Sequence, residues 1–88
     1  MLYLVGTPIG NIEDMSPRAV AALSSADVIL CEDTRVTGLL LANLGISAPE
    51  LISYHEHNKA SREKSVLDML SHGLNVVQVS DAGMPVIS

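Results

Sequence analysis

Aromatic residues are almost missing from this sequence. It has no Phe and no Trp, and its two tyrosines are Tyr3 and Tyr54, although 48% of its residues are hydrophobic. A core without aromatic rings must be built from Leu, Val, Ile, Ala and Met, a composition typical of a buried parallel sheet covered by helices. The 88 residues suffice for one small domain, which buries roughly 60–65% of the surface that its unfolded chain exposes.

Cysteine, long apolar runs and positive charge are also scarce. The single cysteine, Cys31, excludes a disulfide framework within the chain and favours a reducing compartment. Met1–Val5 lacks the basic residues and the length of a signal peptide, and no apolar stretch approaches the ~20 residues of a membrane span. We therefore expect a soluble, cytoplasmic protein with no membrane partner. A net charge of −5 argues against this chain alone holding a phosphate backbone.

Four short apolar runs each lead into a polar or Gly/Pro-rich cluster. These runs are the predicted strands, and they cover Leu2–Val5, Val28–Leu30, Leu51–Ser53 and Val76–Val79. If the strands are parallel, the four clusters lie along one edge of one sheet, outside the carboxyl ends of the strands, where open α/β sheets bind ligands. The opposite strand ends are reached through segments that look like plain connections. We therefore expect the chemistry to be concentrated on one side of the sheet.

Helices are predicted between these runs. The first begins with Ser16 as N-cap and Pro17 at the first helical position, and it ends before Asp27. The order strand, helix, strand, helix, strand, helix, strand predicts an α/β fold, with a small parallel sheet of about four strands and helices on its faces. Whether one edge strand runs antiparallel is left open.

The second and third helices are predicted from apolar spacing and from glycine stops. The second fits Thr37 to Leu44 and is stopped by Gly45, which can adopt the left-handed conformation. Its leucines at 39, 40, 41 and 44 predict a largely buried element. The third begins near Asn58 or Ser61 and ends at residue 73. One face of this third helix carries Val66, Leu67 and Leu70.

Two clusters are candidate ligand loops. Gly6–Asn11 contains two glycines and a proline but neither the G-x-G-x-x-G nor the P-loop pattern. Such a loop either lets the backbone approach a ligand closely or is a structural turn between a strand and a helix. Asp81–Gly83 offers a carboxylate beside a small surface, suited to a ribose, a sulfonium or an amino group. The alternative is a turn in which Asp81 accepts hydrogen bonds from backbone N–H groups.

The other two clusters carry titratable side chains. Glu32–Arg35 holds two acids and a base, which suits a general base, a ligand clamp, or only an N-cap provided by Asp33 or Thr34. His55 and His57 would point the same way from an extended segment. A His-x-His pair without a third ligand at a known spacing is a weak sign of zinc, so we expect no metal.

Taken together, the four clusters resemble the amino-terminal half of the tetrapyrrole methylase superfamily, and most closely its ribosomal RNA branch. The matching residues occur in the family's order along the whole chain: Thr7–Asn11, Glu32–Arg35 with Thr37–Leu40, His55–Asn58, and Val79–Gly83 with Pro85. Porphyrin-modifying members carry a Gly-rich first loop and a Gly-Asp-Pro type of last loop instead. A tetrapyrrole or other small-molecule methylase is therefore the second interpretation. A third is a non-catalytic binding or dimerisation module that kept the fold.

The resemblance implies a two-domain, homodimeric enzyme that binds S-adenosylmethionine between two α/β domains. The implied reaction is methylation of the ribose 2′-hydroxyl of a cytidine in small-subunit ribosomal RNA. Residues 1–88 are then the amino-terminal domain, without the carboxyl-terminal one, and are expected to be inactive alone. By position, the cofactor contacts fall on Ile9, Ala82, Gly83, Met84 and Ile87. The family usually has Thr where this chain has Met84, and this difference removes a hydroxyl from the cofactor rim.

The same clusters provide the candidate catalytic and substrate residues. Methyl transfer from a sulfonium to a hydroxyl needs mainly proximity and orientation, and a base near the hydroxyl helps. Glu32, Asp33 or His57 could serve as that base, and the sequence does not choose among them. Arg35 and Asn58 are the candidate residues for binding RNA, since a guanidinium suits phosphate.

Overall fold

The described residues form four strands and three helices in strict alternation. The structure is a computed structural model, and it describes residues 2–6, 15–47 and 49–80. The strands are β1 (Leu2–Gly6), β2 (Val28–Cys31), β3 (Glu50–Ser53) and β4 (Val76–Ser80), and the helices are α1 (Pro17–Ser24), α2 (Thr34–Asn43) and α3 (Lys59–Ser71). The predicted α/β class and the four predicted strands are confirmed.

The strands pair in the order β1-β4-β2-β3, and every pairing in the described part of the chain is parallel. The last strand therefore lies between the first two, where Val28 of β2 is opposite Val76 of β4 on one side and Glu50 of β3 on the other. The sheet formed by these residues has no antiparallel edge strand, because β1 and β3, which lie at its edges, both run parallel to their neighbours.

The helices lie on both faces of the sheet. The chain moves across the sheet in one direction from β1 to β3 and then returns to β4, so right-handed connections place α1 and α2 on one face and α3 on the other. The two halves of the core follow this division. On the α1 and α2 face the buried residues are Val5, Leu23, Ile29, Cys31, Leu41, Val77 and Val79, and on the α3 face they are Val28, Leu30, Val66 and Val76.

Two helix starts show how local capping sets the boundaries. In α1, Ser16 Oγ accepts a hydrogen bond from Ala19 N–H at 3.1 Å and Pro17 is the first helical residue, as predicted. In α2, the predicted start at Thr37 is wrong by about one turn. The helix begins at Thr34, because Asp33 is its N-cap and its Oδ1 accepts a hydrogen bond from the Arg35 N–H at 2.9 Å.

Helix ends agree with the glycine signals. Gly45, two residues after α2, has a φ of +72°, and Gly73, two residues after α3, has a φ of +78°. These left-handed conformations carry no steric cost for glycine. Residue 73 thus terminates the third helix as the sequence predicted, although the last helical residue is Ser71.

Two predictions about helix burial were too broad. Leu41 of α2 is fully buried, but Leu39 is 65% exposed, because the helix packs on the sheet through one face. The third helix shows the same effect, since Val66 is buried whereas its neighbour Leu67 is 60% exposed. Adjacent residues in a helix project about 100° apart, so both cannot face the sheet. No helix in the described ranges is long and apolar enough to cross a membrane.

Candidate active site

A cleft of about 300 Å³ lies at the carboxyl ends of β2, β3 and β4. Its lining contains two carboxylates, one imidazole, one ammonium group, one phenol and one carboxamide. The lining residues are Glu32, Tyr54, His55, Glu56, Lys59, Gln78 and Val79. This is the sheet edge at which the sequence placed the chemistry.

The sheet pairing explains why these side chains meet. Pairing between β2 and β4 ends at Leu30 and Gln78, and the cleft lies just beyond that last pair. On the other side, Tyr54 N–H donates to the Cys31 carbonyl oxygen at 2.8 Å, which continues the contact between β2 and β3 past the end of β3. Glu32 is thereby brought beside the segment that begins at Tyr54.

The two acids of the Glu32–Arg35 cluster have different surroundings. Asp33 caps α2, and its Oδ1 also lies 3.7 Å from Arg35 Nε in an ion pair whose Arg side chain is 92% exposed. Glu32 is exposed, lines the cleft, and makes no hydrogen bond or ion pair with the described residues. Of these two carboxylates, Glu32 is the one that an incoming ligand in the cleft can reach without breaking a helix cap.

The histidine segment is a tight turn fastened by Asn58. The Asn58 Oδ1 accepts a hydrogen bond from His55 N–H at 2.8 Å, and Asn58 Nδ2 donates to the Ser53 carbonyl oxygen at 3.0 Å. A third bond runs from His57 N–H to His55 Nδ1 at 3.2 Å. The segment is therefore not extended, and the expectation that both imidazoles point the same way is wrong.

The turn gives the two imidazoles different positions relative to the cleft. His55 lines the cleft, whereas His57 is exposed and is not part of the lining. Their rings meet edge to face, with centroids 5.8 Å apart and an interplanar angle of 67°. His57, and not His55, was the candidate base expected from the sequence, since an alternating pair gives no sign of which histidine faces a cleft.

Basic residues lie in the first turns of the helices at this edge of the sheet. All three helices begin there, none has an acidic residue in its first turn, and each has at least one basic residue in that turn. The basic residues concerned are Arg18 in α1, Arg35 in α2, and Lys59 and Arg62 in α3. The helix dipole favours acids at this end and disfavours cations by roughly 0.3–1 kcal/mol each. In α2 the Asp33 N-cap offsets this cost, and the exposed cations of the three first turns suit an anionic partner.

Other predicted residues lie elsewhere. Ile9, Ala82, Gly83, Met84 and Ile87 lie outside the described residues. Cys31 is buried in the α1 and α2 half of the core, with its Sγ 3.9 Å from the Ile52 carbonyl oxygen. Within residues 2–6, 15–47 and 49–80, no group of three or more His, Cys, Asp or Glu side chains is placed to hold a metal ion.

A larger cleft, of about 650 Å³, runs beside α1. Its described lining residues are mainly small and aliphatic, and Arg18 is the one charged group among them. It contains no carboxylate and no imidazole among its described lining residues, so the smaller cleft, with its converging polar groups, is the better candidate site.

Three lining residues were not singled out by the sequence analysis: Tyr54, Lys59 and Gln78. Gln78 had a recognisable signal, since it is the one polar residue inside the apolar run Val76–Val79. Buried parallel strands are normally apolar throughout, and a polar residue near the carboxyl end of such a strand indicates a site. Lys59 had a weaker signal, as a basic residue at the first position of a helix.

The fold and the cleft define an open parallel α/β domain with a candidate ligand site at the carboxyl ends of its strands. The chain belongs to the Tetrapyrrole (Corrin/Porphyrin) Methylases, whose family model matches residues 1–88. The resemblance seen in the sequence is thus confirmed.

Curated relatives support the ribosomal RNA branch. The chain is 53% identical over 88 residues to "Ribosomal RNA small subunit methyltransferase I" of Synechocystis sp., 54% identical over 87 residues to the protein of that name in Streptococcus pyogenes serotype M6, and 52% identical over 88 residues to the one in Bacillus subtilis. These matches cover 99–100% of the chain but 30–31% of each relative. The chain therefore spans about a third of the length of the curated relatives it matches.

Proposed function

We propose that residues 1–88 form the amino-terminal domain of a methyltransferase that modifies small-subunit ribosomal RNA. The observation that carries this proposal is the cleft that Glu32 and His55 both line, at the sheet edge where all three helices begin with basic first turns. A carboxylate beside a polar cleft suits proton removal from a hydroxyl, and the surrounding cations suit a phosphate backbone. The names of the 52–54% identical relatives agree with that substrate.

The proposed methyl acceptor is the ribose 2′-hydroxyl of a cytidine. As the C–O bond to the methyl group forms, the hydroxyl proton must leave, and we propose the Glu32 carboxylate as its acceptor. Asp33 and His57 are the less suitable candidates, since the Asp33 carboxylate caps α2 and the His57 side chain lies outside the cleft lining. Arg35, exposed at the start of α2, is proposed to contact RNA phosphate.

The proposed methyl donor is S-adenosylmethionine, which supplies an activated methyl group on a sulfonium. The residues proposed to contact it by family position are Ile9, Ala82, Gly83, Met84 and Ile87. The described part of the site has a charge that suits this donor. Its cleft carries the carboxylates of Glu32 and Glu56, and negative charge is compatible with the positive charge of a sulfonium. The remaining wall of the donor site is proposed to come from a carboxyl-terminal domain of the complete protein, so residues 1–88 alone are proposed to be inactive.

The test uses the complete gene product that carries residues 1–88. It should transfer labelled methyl from S-adenosylmethionine to isolated small ribosomal subunits, and mapping of the product should place the methyl group on a cytidine ribose. Glu32→Gln should lower the single-turnover rate by at least about 100-fold, in the range of general-base catalysis. Asp68→Asn is the matched control, since Asp68 is an exposed acid near the far end of α3.

Binding experiments separate this proposal from its alternatives. Calorimetry should detect S-adenosylmethionine binding to the complete protein and weak or no binding to residues 1–88. Methylation of a tetrapyrrole, with no activity on ribosomal subunits, would favour a small-molecule methylase. No binding of S-adenosylmethionine by the complete protein would favour a binding or dimerisation module. We further propose that the complete protein is cytoplasmic and forms a homodimer. Light scattering on the complete protein tests the oligomeric state.

A further inference from the structure

One imidazole in the cleft has only one of its two nitrogens engaged. His55 Nδ1 accepts a hydrogen bond from the backbone N–H of His57 at 3.2 Å. Nε2 of the same ring forms no hydrogen bond with the described residues, and the side chain lines the cleft together with Glu32 and Lys59. The ring is thus held from within its own turn and offers its second nitrogen to a ligand.

The engaged nitrogen fixes the tautomer. A ring nitrogen that accepts a hydrogen bond carries no proton, and a neutral imidazole has one proton to place. With Nδ1 as the acceptor, that proton is on Nε2, so the nitrogen left for a ligand is a donor. A base needs an unprotonated nitrogen facing the substrate, and this arrangement provides the opposite.

Asn58 holds the backbone that makes this arrangement possible. Its side-chain oxygen accepts from His55 N–H at 2.8 Å, and its side-chain nitrogen donates to the Ser53 carbonyl oxygen at 3.0 Å. Although Asn58 occupies the N-cap position of α3, its side chain makes no capping bond with that helix. An N-cap bond is typically worth about 1 kcal/mol, so the side chain forgoes that bond and ties the turn to β3 instead.

We propose that His55 binds the RNA substrate as a hydrogen-bond donor through Nε2, and that Asn58 is its positioning residue. The acceptor is an oxygen of the nucleotide that enters the cleft, either a ribose oxygen or a base carbonyl. Glu32 and His55 then divide the recognition of this nucleotide, because the carboxylate accepts from a hydroxyl while the imidazole donates to an oxygen. This inference rests on the proposed RNA substrate and deepens it.

Two substitutions of His55 separate its two nitrogens. His55→Gln can place an amide N–H near the position of Nε2 but has no acceptor near that of Nδ1. His55→Asn can place an oxygen near the position of Nδ1 but has no donor near that of Nε2. In the complete protein, we expect His55→Asn to raise KM for small ribosomal subunits by about 10-fold, the loss of one hydrogen bond of ~1.4 kcal/mol. His55→Gln should stay within about 3-fold of wild type in both KM and kcat, since it keeps the donor.

The positioning role of Asn58 has its own readout. Asn58→Ala removes the side-chain hydrogen bonds of Asn58 to His55 and Ser53, and we expect it to raise KM in the same direction as His55→Asn. Combining Asn58→Ala with His55→Asn should add little to KM, because the donor that Asn58 positions is already gone. Simple loss of structure would instead add the two effects and lower the melting temperature in proportion. His72→Gln is the matched control, since His72 is exposed at the far end of α3, where its Nδ1 lies 2.7 Å from the Asp68 carbonyl oxygen.

The results that overturn the inference are distinct from those that overturn the proposed function. A 100-fold fall in kcat for His55→Gln with unchanged KM would identify His55 as a base. Wild-type KM for His55→Asn together with a raised KM for His55→Gln would show that only the Nδ1 bond matters. Failure of the wild-type protein to methylate ribosomal subunits overturns the proposed function itself. In that case, equal affinity of wild type and His55→Asn for ribosomal RNA, measured by fluorescence anisotropy, would overturn the donor role as well.

Discussion

Asp27 and Asn75 are bonded to each other at the start of two neighbouring strands. Asp27 N–H donates to the Asn75 carbonyl oxygen at 2.8 Å, and Asn75 N–H donates to Asp27 Oδ2 at 2.7 Å. The Asn75 side chain adds a longer contact of 3.4 Å to the Ser25 carbonyl oxygen. These residues lie in segments that the sequence analysis treated as plain connections, at the edge of the sheet opposite the cleft. They join β2 and β4 before either strand begins.

The first prediction concerns this pair. Asp27→Ala removes the side-chain acceptor of the Asn75 N–H, and we expect it to lower the free energy of unfolding by roughly 1 kcal/mol, because the pair is exposed to solvent. Asp27→Asn keeps an oxygen acceptor and should lose less. Urea denaturation followed by circular dichroism measures both. Asp68→Ala, the removal of an exposed acid outside any strand connection, is the control, and a loss equal to that of Asp27→Ala would contradict the prediction.

Gly38 and Gly45 should respond to alanine in opposite directions. Gly38 lies inside α2, and a Cβ there would be 3.7 Å from Leu51 Cδ1, an ordinary contact. We expect Gly38→Ala to stabilise the domain by about 0.5–1 kcal/mol through helix propensity. Gly45 has space around it but a φ of +72°, so Gly45→Ala should destabilise by about 1–2 kcal/mol. Thermal unfolding of the two variants tests the pair, and a change of the same sign in both would count against it.

Thr37 carries a buried hydroxyl whose removal should not destabilise the domain. The residue is 1% exposed, and its Oγ1 has no hydrogen-bond partner among the described residues. An unsatisfied buried hydroxyl costs roughly 1–3 kcal/mol, so Thr37→Val, which keeps the shape, should leave stability unchanged or raise it by about 1 kcal/mol. Differential scanning calorimetry checks this. Thr34→Val, at the half-exposed first residue of α2, is the control, and a fall in melting temperature specific to Thr37→Val would reveal a partner for the hydroxyl.

Arg35 should contribute to RNA affinity through charge. Its side chain is 92% exposed at the start of α2. In the complete protein, we expect Arg35→Ala to weaken binding to ribosomal RNA by about 3- to 10-fold and to reduce the salt dependence of log K by about 1. The affinity for S-adenosylmethionine should not change. Lys64→Ala removes the same charge from α3, two residues after Arg62 and outside the first turn of the helix, and should have a smaller effect. Equal effects of the two substitutions would indicate general charge attraction without a specific contact.

The sequence predicted the fold well because each element carries its own signal. The predicted strands are mostly apolar runs, since both faces of β2 and β4 are covered. The Ser16 cap and the Gly45 and Gly73 stops act on residues close to them in the chain. The start of α2 was missed because Asp33 had two competing roles, as a cap and as an acid of the site. The different roles of His55 and His57 follow from the turn that Asn58 holds in place. Side-chain hydrogen bonds within this turn decide which ring faces the cleft, and the sequence pattern does not show them. Strand order is likewise a long-range property, and no local pattern encodes that β4 lies between β1 and β2.

That strand order has a consequence for how the domain folds while the ribosome is still synthesising it. In the described sheet, β1 pairs with β4 alone, across residues 2–6 and 76–80. Of the four strands, β1 is synthesised first, but it has no backbone partner in the sheet until β4 has been made. In contrast, β2 and β3 can pair early. Contacts between distant parts of a chain form slowly, because the intervening loop must be closed first. Until residue 80 has left the exit tunnel, nascent chains should present β1 as an unpaired strand to chaperones, and insertion of β4 should be the step that completes the sheet.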